Sequence, residues 1–257
     1  SSDLSKIMAD KVTALSFTDE EYKAETGAVL GEYLGHYQMP WSMLTAKLYQ
    51  TAYTVHPYRD VEEHLEVLKK MPENREAVMN FYNNYYKPNN CRLVVVGDFD
   101  TEKAKKIIEE SYGALKPGKD LPEVPQEPPQ EEERMAQIIY PGKTSPYILI
   151  AYKLPAYDLE NIEIQSVDLI KEMYFSEGSP IYNRLVYEEK LVTSIYFPRY
   201  YFTKDPGLFS TEIKLKNEGD IERVKEIFFE EVEKIRQELC SSEKLEEIKE
   251  KTLYKKL

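Results

Sequence analysis

The sequence predicts an α+β protein of two related units, each a mainly antiparallel β-sheet packed with helices, the first unit incomplete. Three observations predict it. The stretch "KPGKDLPEVPQEPPQEEERM", residues 116–135, carries five prolines and a run of acids, and it reads as an extended linker. On both sides of it, apolar residues recur mostly at helical spacing. Short β-branched runs, among them "CRLVVVGD" and "SPYILIAYKLP", interrupt those helices as strands. The expected division is therefore 1–115, a linker at 116–135, and 136–257, the last unit truncated at its end.

The elements follow in order. "DLSKIMADKVTAL" places Leu4, Ile7, Met8, Val12 and Leu15 on one helical face. In "SFTDEEY", Thr18 stands three residues before Glu21, a capping box that opens the next helix. A third helix runs through "PWSMLTAKLYQTAY" and is broken by "HPYRD". "NREAVMNFYNNYY" is a further amphipathic helix, stopped by Lys87-Pro88. "CRLVVVGD" is expected to be a buried strand, with Cys91 as a small buried residue, and "DTEKAKKIIEESYGAL" is the helix after it. Beyond the linker, "RMAQIIYP" and "SPYILIAYKLP" read as strands, "DLENIEIQSVDLIKEMYF" and "SPIYNRLVYEEKL" as helices. "TSIYFPRYY" and "GLFSTEIKL" read as strands. "GDIERVKEIFFEEVEKIRQEL" is a long helix, and "SSEKLEEIKEKTLYKKL" opens another with a serine cap. A strand feeding an acidic turn and a charged helix occurs in both halves, which suggests two copies of one α+β unit.

Composition narrows the function. The net charge is −12 over 257 residues, which opposes binding to a phosphate backbone. No apolar run approaches the ~20 residues that span a bilayer. The two cysteines, Cys91 and Cys240, have no metal-ligand spacing. The 21 tyrosines suit packing at sheet and helix surfaces. No nucleic-acid or membrane partner is expected.

Three motifs bear on chemistry. "VVVGDFD" ends a strand before a helix, but no glycine-rich phosphate cradle follows; Gly97 and Asp98 read as a turn, with Asp100 or Thr101 as the helix cap. Of the three histidines, His56 belongs to a turn and His36 to a helix end. His64 closes "DVEEH", which has an Asp where the inverted zinc motif H-x-x-E-H has its first His, and the match is read as coincidence. Glu25 and Glu32 lie seven residues apart, close to two helical turns, so they point nearly the same way. Ala28 and Gly35 share their stripe, and Val29, Leu30, Tyr33 and Leu34 around it are expected to be buried. Carboxylates beside a packed stripe need cations or a metal as partners.

Taken in order, "FTDEEYKAETGAVLGEY", "HPY" and "FYNNYYKPNNCRLVVVGDFD" resemble the insulinase/pitrilysin family of zinc metallopeptidases, the inverted zincins. The later segments "ILIAYKLP", "SPIYNRLVYEEKL" and "DPGLFSTEIKL" are similar to the family's following domain, so the resemblance covers nearly the whole chain. It implies Glu32 as the third zinc ligand and Glu25 as a second acidic residue of the catalytic site. In such a site three protein ligands and an open position turn bound water into hydroxide, and a glutamate serves as general base. The chain departs from the family pattern in one respect: no H-x-x-E-H stands among the 31 residues before Glu32.

The resemblance therefore implies a fragment of a zinc-dependent endopeptidase that acts on peptides or unfolded polypeptides. The chain itself is expected to be inactive and to bind no zinc of its own, the zinc belonging to the intact enzyme. The alternative is a non-catalytic homologue that acts as a structural or partner subunit. A stand-alone binding module is a third class. The coding sequence upstream separates the first two, according to whether H-x-x-E-H is present there. Expected partners are a peptide substrate and either a second copy of the chain or a second peptidase-family half. An exposed edge or apolar face in the first unit would drive such pairing.

Overall fold

The computed structural model describes residues 2–37, 39–60, 65–199 and 203–254. It divides into two compact units, Ser1–Gln38 with Val55–Gln126, and Met39–Thr54 with Glu127–Leu257. The 116–135 stretch is thus shared between them, and the helix containing Trp41 packs with the second unit.

Unit 1 is helical among the described residues: α1 (Ser2–Thr13), α2 (Asp19–Tyr37), α4 (Leu65–Lys70), α5 (Arg75–Tyr85) and α6 (Thr101–Tyr112), with α3 (Pro40–Ala52) assigned to unit 2. The start of each helix follows from local chemistry. The Thr18 amide donates to the Glu21 carboxylate at 2.7 Å, and the Glu21 amide donates back to Thr18 Oγ1 at 3.1 Å, so the expected capping box forms. The bond from the Thr18 amide, and after it the Thr18 hydroxyl, holds the Glu21 carboxyl below its usual range. The cap of α6 is Asp100, which accepts from the Lys103 amide at 2.9 Å. Arg75 joins the starts of α2 and α5: it pairs with Asp19 at 3.1 Å, donates to the Phe17 carbonyl and stacks 4.9 Å from the Phe17 ring. Tyr22 donates to the Met71 carbonyl and Tyr82 to that of Val12, so two tyrosines staple helices by their polar tips.

Unit 2 carries a three-stranded antiparallel sheet in the order β1 (Tyr147–Lys153), β3 (Leu208–Leu215), β2 (Val192–Arg199). Around it lie α7 (Ile162–Tyr174), α8 (Pro180–Tyr182), α9 (Ile221–Gln237) and α10 (Ser242–Tyr254). The central strand alternates as a period of two requires. Phe209, Thr211, Ile213 and Leu215 are buried, and the three apolar ones share one core with Val224, Ile227 and Phe228 of α9 and with Leu185 and Val167. Helix α3 packs on β1. There the Lys153 ammonium lies 3.4 Å from the Tyr53 ring centroid, and Tyr53 donates to the Pro206 carbonyl at 2.8 Å. Burial pushes the Lys153 amine below its usual range, and Glu127 acts against that shift.

The fold class holds: a helix-rich chain with an antiparallel sheet. Two strand expectations do not. Residues 91–98 join no ladder among the described residues, and Val94 and Val96 are 78% and 90% exposed. Cys91 is likewise exposed rather than buried. Residues 134–141 also form no strand, and Met135 and Ile139 stand in solvent. The reason is the same in both places. A strand is defined by inter-strand hydrogen bonds, and no described segment lies alongside to make them.

Phe228 is fully buried at the centre of unit 2, so Phe228→Ala removes its contacts and opens a cavity. It is expected to cost about 3–5 kcal/mol. Urea unfolding followed by the fluorescence of Trp41, the chain's one tryptophan and part of unit 2, measures it.

Candidate functional site

Helix α2 buries Tyr22, Thr26 and Tyr33, and Val29 and Leu30 are partly covered. These positions recur every three to four residues and define the face that packs on α4 and the following turn. Glu25 and Glu32 stand off that face, and both are exposed. Neither forms a hydrogen bond or ion pair among the described residues. The expectation that a packed stripe surrounds them is met by Tyr33 and only in part by Val29 and Leu30; Leu34 is exposed. The glycines of the helix open the surface further: a Cβ at Gly27, Gly31 or Gly35 would meet nothing within 4 Å. The two carboxylates lie on one exposed side, about 10.5 Å apart along the axis, while Gly27 and Gly31 are turned about 160° and 100° away from Glu25 and Glu32 respectively.

The histidines do not join it. His36 is exposed at the end of α2. His56 is buried in a turn, where its Nδ1 accepts from the Tyr58 amide at 3.1 Å and its ring meets Tyr58 edge-on. His64 and most of "DVEEH" lie outside the described residues. Among the described residues, no group of three or more His, Cys, Asp or Glu side chains is arranged to hold a metal ion. A peptidase zinc takes three protein ligands and keeps one position open. Two exposed carboxylates two helical turns apart do not by themselves fit that metal, and no chemical step is routed through one.

A second charged cluster, invisible to sequence reading, lies in unit 2. After α8 the chain continues as a π-helix over Asn183–Glu188. Arg184 there donates to Glu231 Oε1 at 2.8 Å and pairs with Glu230 at 2.7 Å, while Lys234 reaches Glu231 at 2.7 Å. The Glu231 side chain is only 7% exposed. Burial alone would raise its pKa, but the bonds from Lys234 and Arg184 outweigh burial and hold it below the ordinary carboxylate range. These charges line an open hollow of about 460 Å³. They neutralise one another, so the cluster reads as a clamp between the π-helix and α9. Its sequence signal, an arginine in one helix and two glutamates in another, gives no hint of the pairing.

A family model described as "Peptidase M16 inactive domain" matches residues 72–252, most of the chain. The chain belongs to that family. It is similar to the zinc protease PqqE of Helicobacter pylori, 26% identical over 161 residues, which cover 59% of this chain and 35% of the relative. The chain thus spans about a third of that relative's length. Its fold matches the crystal structure of a protease from Helicobacter pylori, with a TM-score of 0.85 at 21% identity over 99% of this chain and 62% of that one. It also matches a peptidase M16 inactive domain from Pseudomonas fluorescens, with a TM-score of 0.76 at 18% identity over 96% of this chain and 59% of that one. At those identities the structural likenesses show the fold alone. The resemblance to zinc metallopeptidases read from the ordered motifs is borne out as family membership. The family match begins after α2, so it does not extend to Glu25 and Glu32.

The charges carry three expectations. Glu25→Gln and Glu32→Gln remove exposed, unpaired carboxylates, and each should move stability by no more than about 0.5 kcal/mol in thermal unfolding. Arg184→Ala strips a partner from the buried Glu231 and is expected to cost about 1–3 kcal/mol. The pH dependence has a definite sign. Because the folded pKa of Glu231 is lowered, its contribution is complete above the unfolded value of about 4.3 and is lost as pH falls through the folded value. Acid titration of stability, wild type against Glu231→Gln, should show that loss in the wild type only.

Proposed function

We propose that this chain is part of a zinc endopeptidase of the M16 type: a portion that shapes the peptide-binding space and adds acidic residues to a metal site completed elsewhere. On this reading the chain alone does not hydrolyse peptides. Glu32 supplies one carboxylate ligand, Glu25 supports the site from behind, and the histidine pair and general base come from an H-x-x-E-H segment outside these 257 residues. The observation that carries the reading is the conjunction of a peptidase-family match with two outward, unpartnered carboxylates two turns apart on α2. Zinc in the intact enzyme, a peptide as substrate and a second peptidase-family half as partner belong to the same reading.

A second reading has its own support. The matching family model carries the word "inactive" in its description. In that case the chain is a non-catalytic homologue that builds the wall of a chamber, and the two carboxylates play no part.

One experiment separates them. The chain is expressed alone and joined to a family segment that carries H-x-x-E-H, and zinc content and cleavage of a fluorogenic peptide are measured. The first reading expects neither stoichiometric zinc nor cleavage from the chain alone, and both from the joined protein. Glu32→Gln should then abolish zinc binding, and Glu25→Gln should lower activity about 10–100-fold, as loss of a residue that supports metal ligands does. Full activity of the joined protein with either variant would favour the wall reading. Cleavage by the chain alone would overturn both.

A further inference from the structure

The stretch between Ser179 and Val192 places two uncommon backbone states side by side. Asn183–Glu188 is a π-helix, closed by the Glu189 amide on the Arg184 carbonyl at 2.9 Å, five residues back. Such turns are rare, and they recur at functional sites. Two residues after it, Lys190 stands at φ +55°, the one non-glycine residue with positive φ among the described residues. For a residue that carries a Cβ, that left-handed conformation costs about 5–30-fold in equilibrium. Both states are held from outside. On the inner side Ile181 and Leu185 are fully buried, and Leu191 packs against the same core. On the outer side Arg184 bonds Glu231 and Glu230 of α9, and Lys234 bonds Glu231. A second tie to α9, Glu189 with Arg223, is more open to solvent than the Arg184–Glu231 pair and correspondingly weaker.

We propose that the Arg184–Glu231 clamp is a latch: it keeps residues 183–190 in their strained form, and protonation of Glu231 releases them while the rest of unit 2 stays folded. The core contacts of Ile181 and Leu185 are non-directional and tolerate rewinding of the turn. The clamp is directional. Arg184 Nη1 is shared between Glu230 at 2.7 Å and Glu231 at 2.8 Å, which fixes where the turn points. Around the hollow, Glu188, Glu230 and Glu231 face Arg184 and Lys234, and at the far end of the segment Glu189 faces Arg223. Arginine and lysine stay charged in acid, so acid acts on the carboxylates. Glu231 decides the outcome, because its side chain is nearly enclosed and accepts from both Arg184 and Lys234. Once it is neutral, Arg184 keeps Glu230, a partner that solvent reaches and screens. The bonds from Lys234 and Arg184 outweigh burial and keep the Glu231 carboxyl below its usual range. The latch is therefore shut at neutral pH and opens as pH falls through that lowered value. It is independent of the zinc-protease reading, because it follows from the π-helix and α9 alone.

The test is amide hydrogen exchange of the full chain, with protection compared residue by residue at one neutral pH. Glu231→Gln cannot ionise and mimics the protonated state. It should lower the protection of the Glu189 and Leu191 amides, which close the segment, about tenfold, while the amides of β3 keep theirs. The double variant Glu231→Gln/Lys190→Gly relieves the left-handed strain at an exposed position and should recover about fivefold or more. On acidification the wild type, corrected for the intrinsic exchange rate, should lose protection at Glu189 and Leu191 before it does in β3. Glu231→Gln should show no such step. A thermal melt confirms that each variant folds. Unchanged protection in Glu231→Gln overturns the proposal, as does a wild type without the acid step. So does an equal loss across β3, since the clamp would then hold the whole unit. A double variant that recovers nothing also overturns it, because strain at Lys190 would not be what the clamp restrains.

Discussion

Strand β3 organises unit 2 because it is hydrogen-bonded along both of its edges, to β1 on one side and β2 on the other. Everything apolar in that unit is arranged around it. Its inward apolar residues share a core with α9, and α9 in turn fixes the π-helix through the Arg184 clamp. Unit 1 has the same ingredients without such a centre. Its helices are well capped and stapled by tyrosine hydroxyls, yet its strand-forming run has nothing to lie against. The constraint is backbone pairing: a helix satisfies its own N–H and C=O groups, and a strand cannot.

That difference explains which parts of the structure the sequence disclosed. The capping box at Thr18 and Glu21, the Asp100 cap and the serine that opens α10 were all legible, because each is settled within four residues of chain. The strands around 147–153, 192–199 and 208–215 were legible too, and their partners are present. The runs at 91–98 and 134–141 have equal β-propensity and form no ladder. Propensity reports what a pleated, half-buried surface would accept, and pairing depends on a neighbour that no local pattern reveals. The Arg184–Glu231 contact spans 47 residues and was invisible for the same reason. A charge in a helix reads as solvent-facing until its partner helix is placed.

The buried clamp and the bare helix face put acidic residues to opposite physical uses. Glu231 is almost enclosed and is acceptable there only because two cations bond it; taking either away leaves a charge in a poor medium. Such a group is tied to the fold. Glu25 and Glu32 have no such tie. They stabilise nothing among the described residues, and the small residues between them leave the surface open to whatever docks.

The absence of a structural role gives the α2 carboxylates their interest. An exposed glutamate on a helix is ordinary, and a pair of them proves nothing alone. Here the pair coincides with three conditions: membership of a peptidase family, a helix left open on another side by Gly27, Gly31 and Gly35, and order along the chain that resembles a zinc-ligand helix. Glycine at three positions of one helix weakens it by about 1 kcal/mol each relative to alanine. A purely structural helix gains nothing from that cost, because a Cβ at any of these positions would meet no packed neighbour within 4 Å among the described residues. The cost has a rationale if another surface approaches α2 closely. Close approach of a second backbone is the one demand that three unobstructed glycines meet and alanines do not.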